Sequence, residues 1–243
     1  MQVQDKTDTG FTIYYLTEQA ITIEFGQQIE QKTLKQIRQL DHLLRQKPFS
    51  GFRTTVPAYT TLSVFFDPVE VIKNPDLRGF DAFEKVSAYV RQLKNEPWPE
   101  EITTIKTVTI PVCYGGHFGP DLEEVAILHN LSVKEVITLH SAAVYEVYMM
   151  GFVPGFAYLG GMSDLLETPR KASPGKFIPA GSVGIAGKQT GIYPLETPGG
   201  WQIIGQTPRV LFDAERPQPA LLTSGDRVVF KPIDQNEFEQ YRD

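Results

Sequence analysis

The residues best suited to chemistry lie in one glycine-rich stretch, residues 150–208. Aromatic residues alternate there with glycine and proline, a composition typical of ordered loops between short strands rather than of a solvated linker. Cations can hold phosphate or carboxylate groups, and amides and phenols can orient a substrate by hydrogen bonds. If the strands close a barrel, we predict that these side chains converge on one rim. The set is Arg170, Lys171, Lys188, Gln189, Thr190, Tyr193, Glu196, Trp201, Gln202 and Gln206.

Lys188 lies in the segment that comes nearest to a phosphate-binding loop. The Walker pattern requires glycine at the position of Ser182 and serine or threonine at the position of Gln189, so the chain is not a P-loop ATPase. A lysine in a glycine-bracketed turn can contact a phosphate or carboxylate, and it can equally be a solvated residue at a hairpin tip. The sequence leaves both alternatives open.

No complete catalytic set is recognisable. Cys113 and His117 are a nucleophile and a base by type, but the turn between them does not bring them together, and we expect Cys113 to be a small buried residue. His129 and His140 fall on predicted helices without metal-ligand spacing, so we expect surface or partly packed residues. Neither Gly-x-Ser-x-Gly nor His-Glu-x-x-His occurs. We predict a chain without a self-sufficient catalytic set and without bound metal or organic cofactor.

The aromatic loop that opens this stretch allows two interpretations. If the loop is exposed, its apolar side chains predict a protein interface; if it folds inward, they are core residues beneath a loop. Periodicity does not distinguish the two. The residues concerned are Phe152, Pro154, Phe156, Tyr158 and Leu159.

The composition limits the function classes. The chain has 243 residues and a net charge of −6, so it offers no basic stripe for nucleic acid. One cysteine excludes an internal disulfide and fits a reducing compartment. No apolar run approaches the ~20 residues that span a bilayer, and the N-terminus lacks the layout of a signal peptide. We therefore expect a cytoplasmic protein that binds neither nucleic acid nor membranes.

The first part of the chain predicts a small α+β domain, residues 1–95. Two strand-like segments are followed by a helical repeat at residues 29–44, two further strands and a second amphipathic helix at residues 80–93. The predicted order is β-β-α-β-β-α. Residues 96–103, with two prolines and several acids, are the predicted linker.

The second part predicts a mainly-β barrel, residues 104–234, followed by a solvated tail at 235–243. Short strands punctuated by glycine and proline dominate from residue 145 onward. Two short helices are predicted at residues 122–129 and 133–142. Asp121 with Glu124, and Ser132 with Glu135, each match the sequence pattern of a capping box.

Several long motifs resemble one family. They are PVCYGG at 111–116, FGPDLEEVA at 118–126, GFVPGFAYLGG at 151–161, the stretch 179–205, and VPAYTTL at 56–62. Together they are similar to the family of the 5-oxoprolinase B subunit, also called allophanate hydrolase subunit 1, which includes an inhibitor of a sporulation sensor histidine kinase. The chain departs from the family pattern mildly, at Val153, Ala157 and His117.

The resemblance implies a fold and a set of partners. The expected fold is an α+β N-terminal domain followed by a cyclophilin-like β-barrel. The expected partners are the C subunit of 5-oxoprolinase, of related barrel architecture, and its A subunit, and the site is shared between chains. The three subunits would open 5-oxoproline to L-glutamate with ATP and Mg²⁺ as co-substrate, and this chain alone would be inactive.

Under this resemblance the candidate residues take specific roles. Lys188 and Arg170 would hold phosphate or carboxylate, Tyr193, Gln189 and Gln206 would orient the substrate, and Trp201 would form a pocket wall. Glu196 would anchor its loop or bind magnesium, and the first is favoured. The alternatives are an inhibitor that grips a sensor histidine kinase with its aromatic loop, and a component of an allophanate or urea-amide hydrolase. A prolyl isomerase is disfavoured, since no cyclophilin active-site motif occurs.

Overall fold

A computed structural model describes residues 4–5, 10–98 and 105–241 of the chain. They form two compact units, residues 1–104 and 105–243, each with its own apolar core. Residues 99–103 of the predicted linker lie outside the described part. Trp98, just before them, packs against the core of the first unit, and its indole Nε1–H donates to the Leu93 carbonyl at 3.3 Å.

The first unit combines an antiparallel sheet with three helices. In chain order its elements are β1 (Gln4–Asp5), β2 (Thr12–Thr17), β3 (Ala20–Glu24), α1 (Gln31–Gln46), β4 (Phe52–Pro57), β5 (Thr61–Phe66), α2 (Pro68–Lys73) and α3 (Ala82–Lys94). The strands are arranged in the order β1-β2-β3-β5-β4. Helix α1 and strand β3 share one apolar core, which contains Ile37, Leu40 and Leu44 of α1 and Ile21 and Ile23 of β3. This agrees with the helical spacing of apolar residues in α1 and their alternation in β3.

The four strands and two helices predicted for this part all occur, and β1 and α2 are additions. Asp67 follows β5 directly and caps α2, whose first residue is Pro68. Its carboxylate accepts the backbone N–H of Val69 at 3.0 Å and that of Glu70 at 3.3 Å.

The second unit is built around a closed barrel. Its strands are β6 (Thr107–Tyr114), β7 (Val144–Met150), β8 (Ala157–Gly160), β9 (Gly175–Ile178), β10 (Ser182–Ala186), β11 (Gln189–Ile192), β12 (Thr197–Gly199), β13 (Gln202–Gln206) and β14 (Arg227–Ile233). Seven of them close the barrel in the order β10-β11-β8-β7-β14-β6-β13, and β9 pairs with β12 in a separate ribbon. The β6–β14 pair is parallel and the other pairs are antiparallel, so the predicted barrel is a mixed one.

Two predicted helices occur beside the barrel, α4 (Leu122–Leu128) and α5 (Val133–Ala142). The capping box of Ser132 and Glu135 is confirmed at the start of α5. The predicted box at Asp121 is wrong, because the Asp121 side chain makes no cap hydrogen bond to α4. The start of α4 lies against β13, where the Asp121 N–H donates to the Ile203 carbonyl at 2.9 Å, and the carboxylate is turned to that strand.

The predicted tail contains a short helix, α6 (Gln235–Gln240), which Asp234 and Glu237 begin with a capping box. The Phe238 ring lies 4.5 Å from the ring of Phe118, so this segment is anchored rather than simply solvated. Residues 242–243 lie outside the described residues. Within the described parts of the chain, no helix combines the length and the apolar character needed to cross a membrane.

Candidate functional site

A second apolar layer lies on the outer face of the barrel. Val183 and Ile185 of β10 belong to the barrel core, and successive strand residues point to opposite faces, so Gly184 faces outward. Two predicted site residues, Tyr193 and Trp201, meet in this outer layer. Its members are Phe156, Ile178, Ala186, Tyr193, Trp201 and Ile203, with Val153 and Tyr158 packed against them.

Phe156 is at the centre of the ring contacts. Its ring centroid lies 5.2 Å from that of Tyr193 and 5.6 Å from that of Trp201, with interplanar angles of 86° and 85°. The Tyr158 ring lies 5.8 Å from the Trp201 ring. Edge-to-face packing of this kind is favourable beyond the burial of apolar area, so the layer is a rigid support for whatever borders it.

A glycine pair makes room for the indole of Trp201. Gly184 of β10 lies opposite Gly191 of β11 in the register of the barrel. A Cβ at Gly184 would stand 3.0 Å from the Trp201 Cβ, and a Cβ at Gly191 would stand 3.0 Å from Trp201 Cζ3 and 3.1 Å from Phe156 Cζ. Any larger residue at either position would displace the rings. The glycine-rich composition of the sequence thus has a packing reason here.

The positive charge of Arg170 acts on the two phenols of the layer. Burial raises the pKa of Tyr158, and the charge of the exposed Arg170 opposes that rise. Burial also raises the pKa of Tyr193, opposed by a hydrogen bond from the backbone N–H of Trp201 and, more weakly, by Arg170. An exposed guanidinium next to two phenols is suited to binding a carboxylate or phosphate oxygen.

The backbone on both sides of Arg170 is held by the segment that leads into β13. Before it, the Pro169 carbonyl accepts the side-chain Nε2–H of Gln202 at 3.2 Å. After it, the backbone N–H of Lys171 donates to the Gly200 carbonyl at 2.8 Å. Arg170 is therefore the middle residue of a segment fixed at both ends.

Asp121 adds a charged contact to the same segment. Its Oδ1 accepts from Lys171 Nζ at 2.6 Å, and its Oδ2 accepts from the Ile203 backbone N–H at 2.6 Å. The side chain of Asp121 is 9% exposed and that of Lys171 is 28% exposed. Because both oxygens of this buried carboxylate accept hydrogen bonds, its orientation is fixed. The sequence pattern does not reveal this contact, since the spacing of Asp121 to Glu124 imitates a helix cap.

Lys188 lies in the β10–β11 turn, at the end of β11 opposite to Tyr193. Its ammonium is 3.2 Å from Asp164 Oδ1 and 3.6 Å from Glu167 Oε2, and its side chain is 64% exposed. The hydrogen bond to Asp164 raises the pKa of Lys188. Since two acids already compensate its charge, an anion at Lys188 would have to compete with both.

The remaining predicted polar residues have varied surroundings. Gln206 donates through Nε2 to the Ala180 carbonyl at 2.7 Å, at a short distance along β13 from Gln202. Gln189 is partly exposed at the start of β11, and Glu196 is exposed just before β12. The structure thus brings Tyr193 and Trp201 together in the ring layer, places Arg170 where its charge acts on the Tyr193 phenol, and distributes the others over the strands and turns.

The aromatic loop divides into an outer and an inner part. Phe156 and Leu159 are buried, so for these two the interface prediction is corrected: they are core residues. Phe152 is 59% exposed, Pro154 is exposed and Tyr158 is half-buried. Phe152 also has a φ of +69°, in the left-handed region that is unfavourable for a bulky side chain.

A chain of buried polar groups runs through the barrel interior. His140 is fully buried, so the predicted surface or partly packed position is wrong. Its Nδ1 lies 2.8 Å from the Tyr114 hydroxyl and its Nε2 lies 2.9 Å from Thr190 Oγ1. The Thr190 hydroxyl donates to the Gly184 carbonyl at 2.9 Å. The imidazole also stacks on Phe230, with 4.6 Å between ring centroids.

These contacts fix the tautomer of His140. The only proton of the Thr190 hydroxyl goes to Gly184, so Thr190 accepts the proton of His140 Nε2, and Nδ1 accepts from the Tyr114 hydroxyl. Burial lowers the pKa of His140 to about 3. A neutral, fully bonded imidazole without solvent access is a structural group.

The other candidates for nucleophile, base or metal ligand are isolated. Cys113 is buried, as predicted, and burial raises the pKa of its thiol. His117 is exposed and stacks on Phe118, and His129 Nε2 lies 3.0 Å from Thr168 Oγ1. Among the described residues, no three His, Cys, Asp or Glu side chains form a group that could hold a metal ion.

Comparison with known proteins shows similarity over most of the chain. Residues 11–222 match the family model described as carboxyltransferase domain, subdomain C and D. The chain is 45% identical over 233 residues to the B subunit of 5-oxoprolinase from Bacillus subtilis, covering 96% of this chain and 97% of that protein. It is 40% identical over 223 residues to the protein of the same name from Escherichia coli O157:H7, covering 90% and 94%.

The chain belongs to the 5-oxoprolinase B-subunit family. A solved relative, TTHA0988, superimposes with a TM-score of 0.75 at 33% identity over 88% of this chain. The matched region is 40% of that longer chain, so the chain spans well under half of this solved relative. The family therefore occurs both as chains of this length and as part of a longer polypeptide.

Proposed function

We propose that the chain is the B subunit of an ATP-dependent 5-oxoprolinase, which together with the C and A subunits converts 5-oxoproline to L-glutamate. Support comes from the two curated relatives of that name, each matched over more than 90% of its length. The proposal includes a cyclophilin-like barrel, related to that of the C subunit, and a cytoplasmic location, since the reaction consumes ATP.

The chemistry explains the need for ATP. Amide resonance makes the lactam carbonyl a poor electrophile and its nitrogen a poor leaving group. Transfer of the terminal phosphoryl group to the carbonyl oxygen, with loss of the N–H proton, gives an activated carbon that water attacks. The ring C–N bond then breaks as the nitrogen takes up protons, which leaves an acyl phosphate, and a second water hydrolyses this to the carboxylate and inorganic phosphate. We propose that this chain and the C subunit bind and activate the lactam, and that the A subunit, the third component, assists ring opening.

Arg170 is the residue that we propose to bind the substrate anion. It is an exposed cation on a fixed segment, and it borders the rigid ring layer through Tyr158 and Tyr193. The carboxylate of 5-oxoproline is planar and matches a guanidinium in bidentate geometry. In this arrangement Trp201 forms a wall, and Tyr193 is held behind it by its buried position.

The other site roles remain part of the proposal with less support. Lys188 would receive phosphate oxygens if the partner subunits displaced Asp164 and Glu167 from it. Gln189 and Gln206 would orient the substrate, and Glu196 would anchor its loop. ATP and Mg²⁺ are co-substrates of the complex in this proposal, and no residue of this chain is assigned to the metal.

A shared site is consistent with how the family occurs. In the solved relative the matching region is 40% of one longer chain, whereas the curated relatives are almost fully matched. A polypeptide that is joined to the region in one protein is a candidate for a separate partner in another. We therefore expect full turnover only when this chain is combined with its partner subunits.

Replacing Arg170 with alanine is expected to raise the KM for 5-oxoproline roughly 10- to 100-fold with little change in kcat. The carboxylate does not take part in bond breaking, so its contact stabilises ground and transition states alike, and losing a charge-assisted hydrogen bond costs about 1.5–3 kcal/mol. The measurement is 5-oxoproline-dependent ATP hydrolysis by the three-subunit complex.

Lys134→Ala, which removes an exposed cation on α5, is the matched control and should retain wild-type kinetics. Arg170→Lys should recover part of the affinity, because the charge remains and the planar fork is lost. If Arg170→Ala and Lys188→Ala both leave the rate at every substrate concentration unchanged, the assigned anion-binding roles are wrong.

Phe152 favours a second candidate function, inhibition of a sensor histidine kinase by direct binding. A bulky residue that is 59% exposed at positive φ is held out from the barrel at a cost in backbone energy. Phe152→Ser is expected to weaken such inhibition about tenfold, whereas Phe177→Ser, 74% exposed on β9, should not. Titration of kinase autophosphorylation without the C and A subunits or 5-oxoproline tests this, and no inhibition by the wild-type chain rejects it.

A urea-amide substrate has weaker support. The urea amidolyase of Lachancea kluyveri is 29% identical over 133 residues, which are 50% of this chain and 7% of that protein. Replacing 5-oxoproline by urea or allophanate in the same ATP hydrolysis assay distinguishes the two substrate classes.

A further inference from the structure

Asp121 lies at the start of α4, away from the glycine-rich stretch in sequence, yet it contacts that stretch twice. One carboxylate oxygen binds the Lys171 ammonium at 2.6 Å and the other binds the Ile203 N–H at 2.6 Å. Asp121 thereby joins the residue that follows Arg170 to β13. None of the roles assigned above explains why a carboxylate should be buried at this point.

The two contacts complete a set that surrounds Arg170. Gln202 holds the Pro169 carbonyl, and Gly200 holds the Lys171 backbone N–H, so the main chain is fixed before and after the arginine. The ammonium of Lys171 would otherwise compete with the guanidinium of Arg170 for an incoming anion. The ion pair with Asp121 neutralises the Lys171 ammonium, and the Lys171 side chain is only 28% exposed. Arg170 is then the cation of residues 169–171 whose charge is available to an anion.

We propose that Asp121, acting through Lys171, is the positioning residue for Arg170. It fixes the direction of the guanidinium toward the phenols of Tyr158 and Tyr193 and withholds the neighbouring ammonium from the substrate. This inference rests on the proposed role of Arg170 in binding 5-oxoproline, but the position of Arg170 can be measured without any substrate.

The test follows the phenol titrations of the isolated full-length chain. Ring-labelled ¹³C-tyrosine resolves the phenols by NMR, and Tyr158→Phe and Tyr193→Phe variants assign the two signals. Arg170→Ala is expected to raise the pKa of both phenols, because it removes the positive charge beside them. Asp121→Asn should raise them in the same direction, and the double variant should titrate like Arg170→Ala alone.

Lys171→Met removes the same ion pair from the other side and should reproduce the effect of Asp121→Asn. It also serves as the test variant if Asp121→Asn fails to fold. Lys171→Arg, which keeps the charge and can reach the carboxylate, should restore wild-type titration. The inference is overturned if Asp121→Asn and Lys171→Met leave both phenols at their wild-type pKa, or if Arg170→Ala does.

Kinetics of the three-subunit complex separate this inference from the proposed function. Asp121→Asn is expected to raise the KM for 5-oxoproline about 3- to 10-fold, less than Arg170→Ala, with kcat within about twofold of wild type. A general folding defect would lower kcat instead, since it reduces the active fraction. If the phenols shift as expected but Arg170→Ala leaves KM unchanged, the positioning stands and the proposed substrate contact fails.

Discussion

Acidification from pH 6.5 to pH 4.5 is expected to remove about 2 kcal/mol of unfolding free energy from the barrel unit through His140 alone. Burial lowers the pKa of His140 from 6.5 to about 3. Below pH 6.5 the His140 imidazole binds a proton in the unfolded chain but stays neutral in the folded chain. Stability is therefore lost as the pH falls, with a slope that approaches about 1.4 kcal/mol per pH unit, until the folded state is protonated near pH 3.

The measurement is urea unfolding at a series of pH values in a Trp98→Phe background. Trp98 packs in the first unit, so its removal leaves Trp201 as the indole that reports on the barrel unit. His140→Gln is the test variant, because its amide can donate toward Thr190 and accept from Tyr114 while carrying no charge. The difference between the wild-type and variant curves isolates the histidine from the carboxylates, which titrate in both.

A matched control is His117→Gln, which removes an exposed imidazole from the same unit and should retain the wild-type pH dependence. A wild-type minus His140→Gln difference that is flat between pH 6.5 and pH 4.5 would show that His140 is not the neutral buried group described. The absolute stability of the variant does not affect this conclusion, since the slope alone is compared.

The buried position of His140 could have been predicted from the sequence. Val136 and His140 are four residues apart on α5 and are its two buried residues, so the histidine lies on the apolar face of the helix. The expectation of a surface residue followed residue type instead of this spacing. Its hydrogen-bond partners were out of reach, because Tyr114 and Thr190 are 26 and 50 residues away and meet it only when the barrel closes.

The spacing of apolar residues predicted most helices and many strands, because each of these elements buries apolar side chains along one face. Helices α1, α3, α4 and α5 and strands β2–β5 occur close to their predicted positions, whereas for the barrel a strand-rich region was predicted without the bounds of most strands. The family motifs were equally informative, since their glycines have packing reasons that few other sequences would satisfy. Gly184 and Gly191, for example, are opposite each other in a strand pair and leave room for the Trp201 side chain, which packs over both.

Which cation borders the ring layer could not be predicted in the same way. Lys188 and Arg170 are similar candidates in sequence, both next to turns. The structure distinguishes them by neighbours that no sequence pattern indicates. Lys188 pairs with Asp164 and Glu167, whereas the charge of Arg170 acts on two phenols. For Asp121 the local sequence was misleading: its spacing to Glu124 predicted a helix cap, whereas its carboxylate accepts from the backbone N–H of Ile203, 82 residues away.

Replacing Gly119 with alanine is expected to destabilise the barrel unit by about 3 kcal/mol or more. A Cβ at this position would stand 2.0 Å from the Ile204 carbonyl oxygen and 2.2 Å from its carbon, and both are backbone atoms of β13. A strand in a closed barrel cannot yield without disturbing its neighbours. The turn before α4 must therefore move away from β13, and Asp121 moves with it.

Gly200→Ala is the matched control in the same unit. Its added Cβ would meet Pro174 Cγ at 3.7 Å and the Lys171 carbonyl at 3.8 Å, which are ordinary van der Waals distances. Urea unfolding followed at Trp201 should give a much lower midpoint for Gly119→Ala and a midpoint near wild type for Gly200→Ala.

The phenols of Tyr158 and Tyr193 should also titrate at higher pH in Gly119→Ala, because the Asp121–Lys171 pair that directs Arg170 is lost. A Gly119→Ala variant with wild-type midpoint and wild-type phenol titration would mean that the turn does not press on β13, and that this contact does not set the position of Asp121.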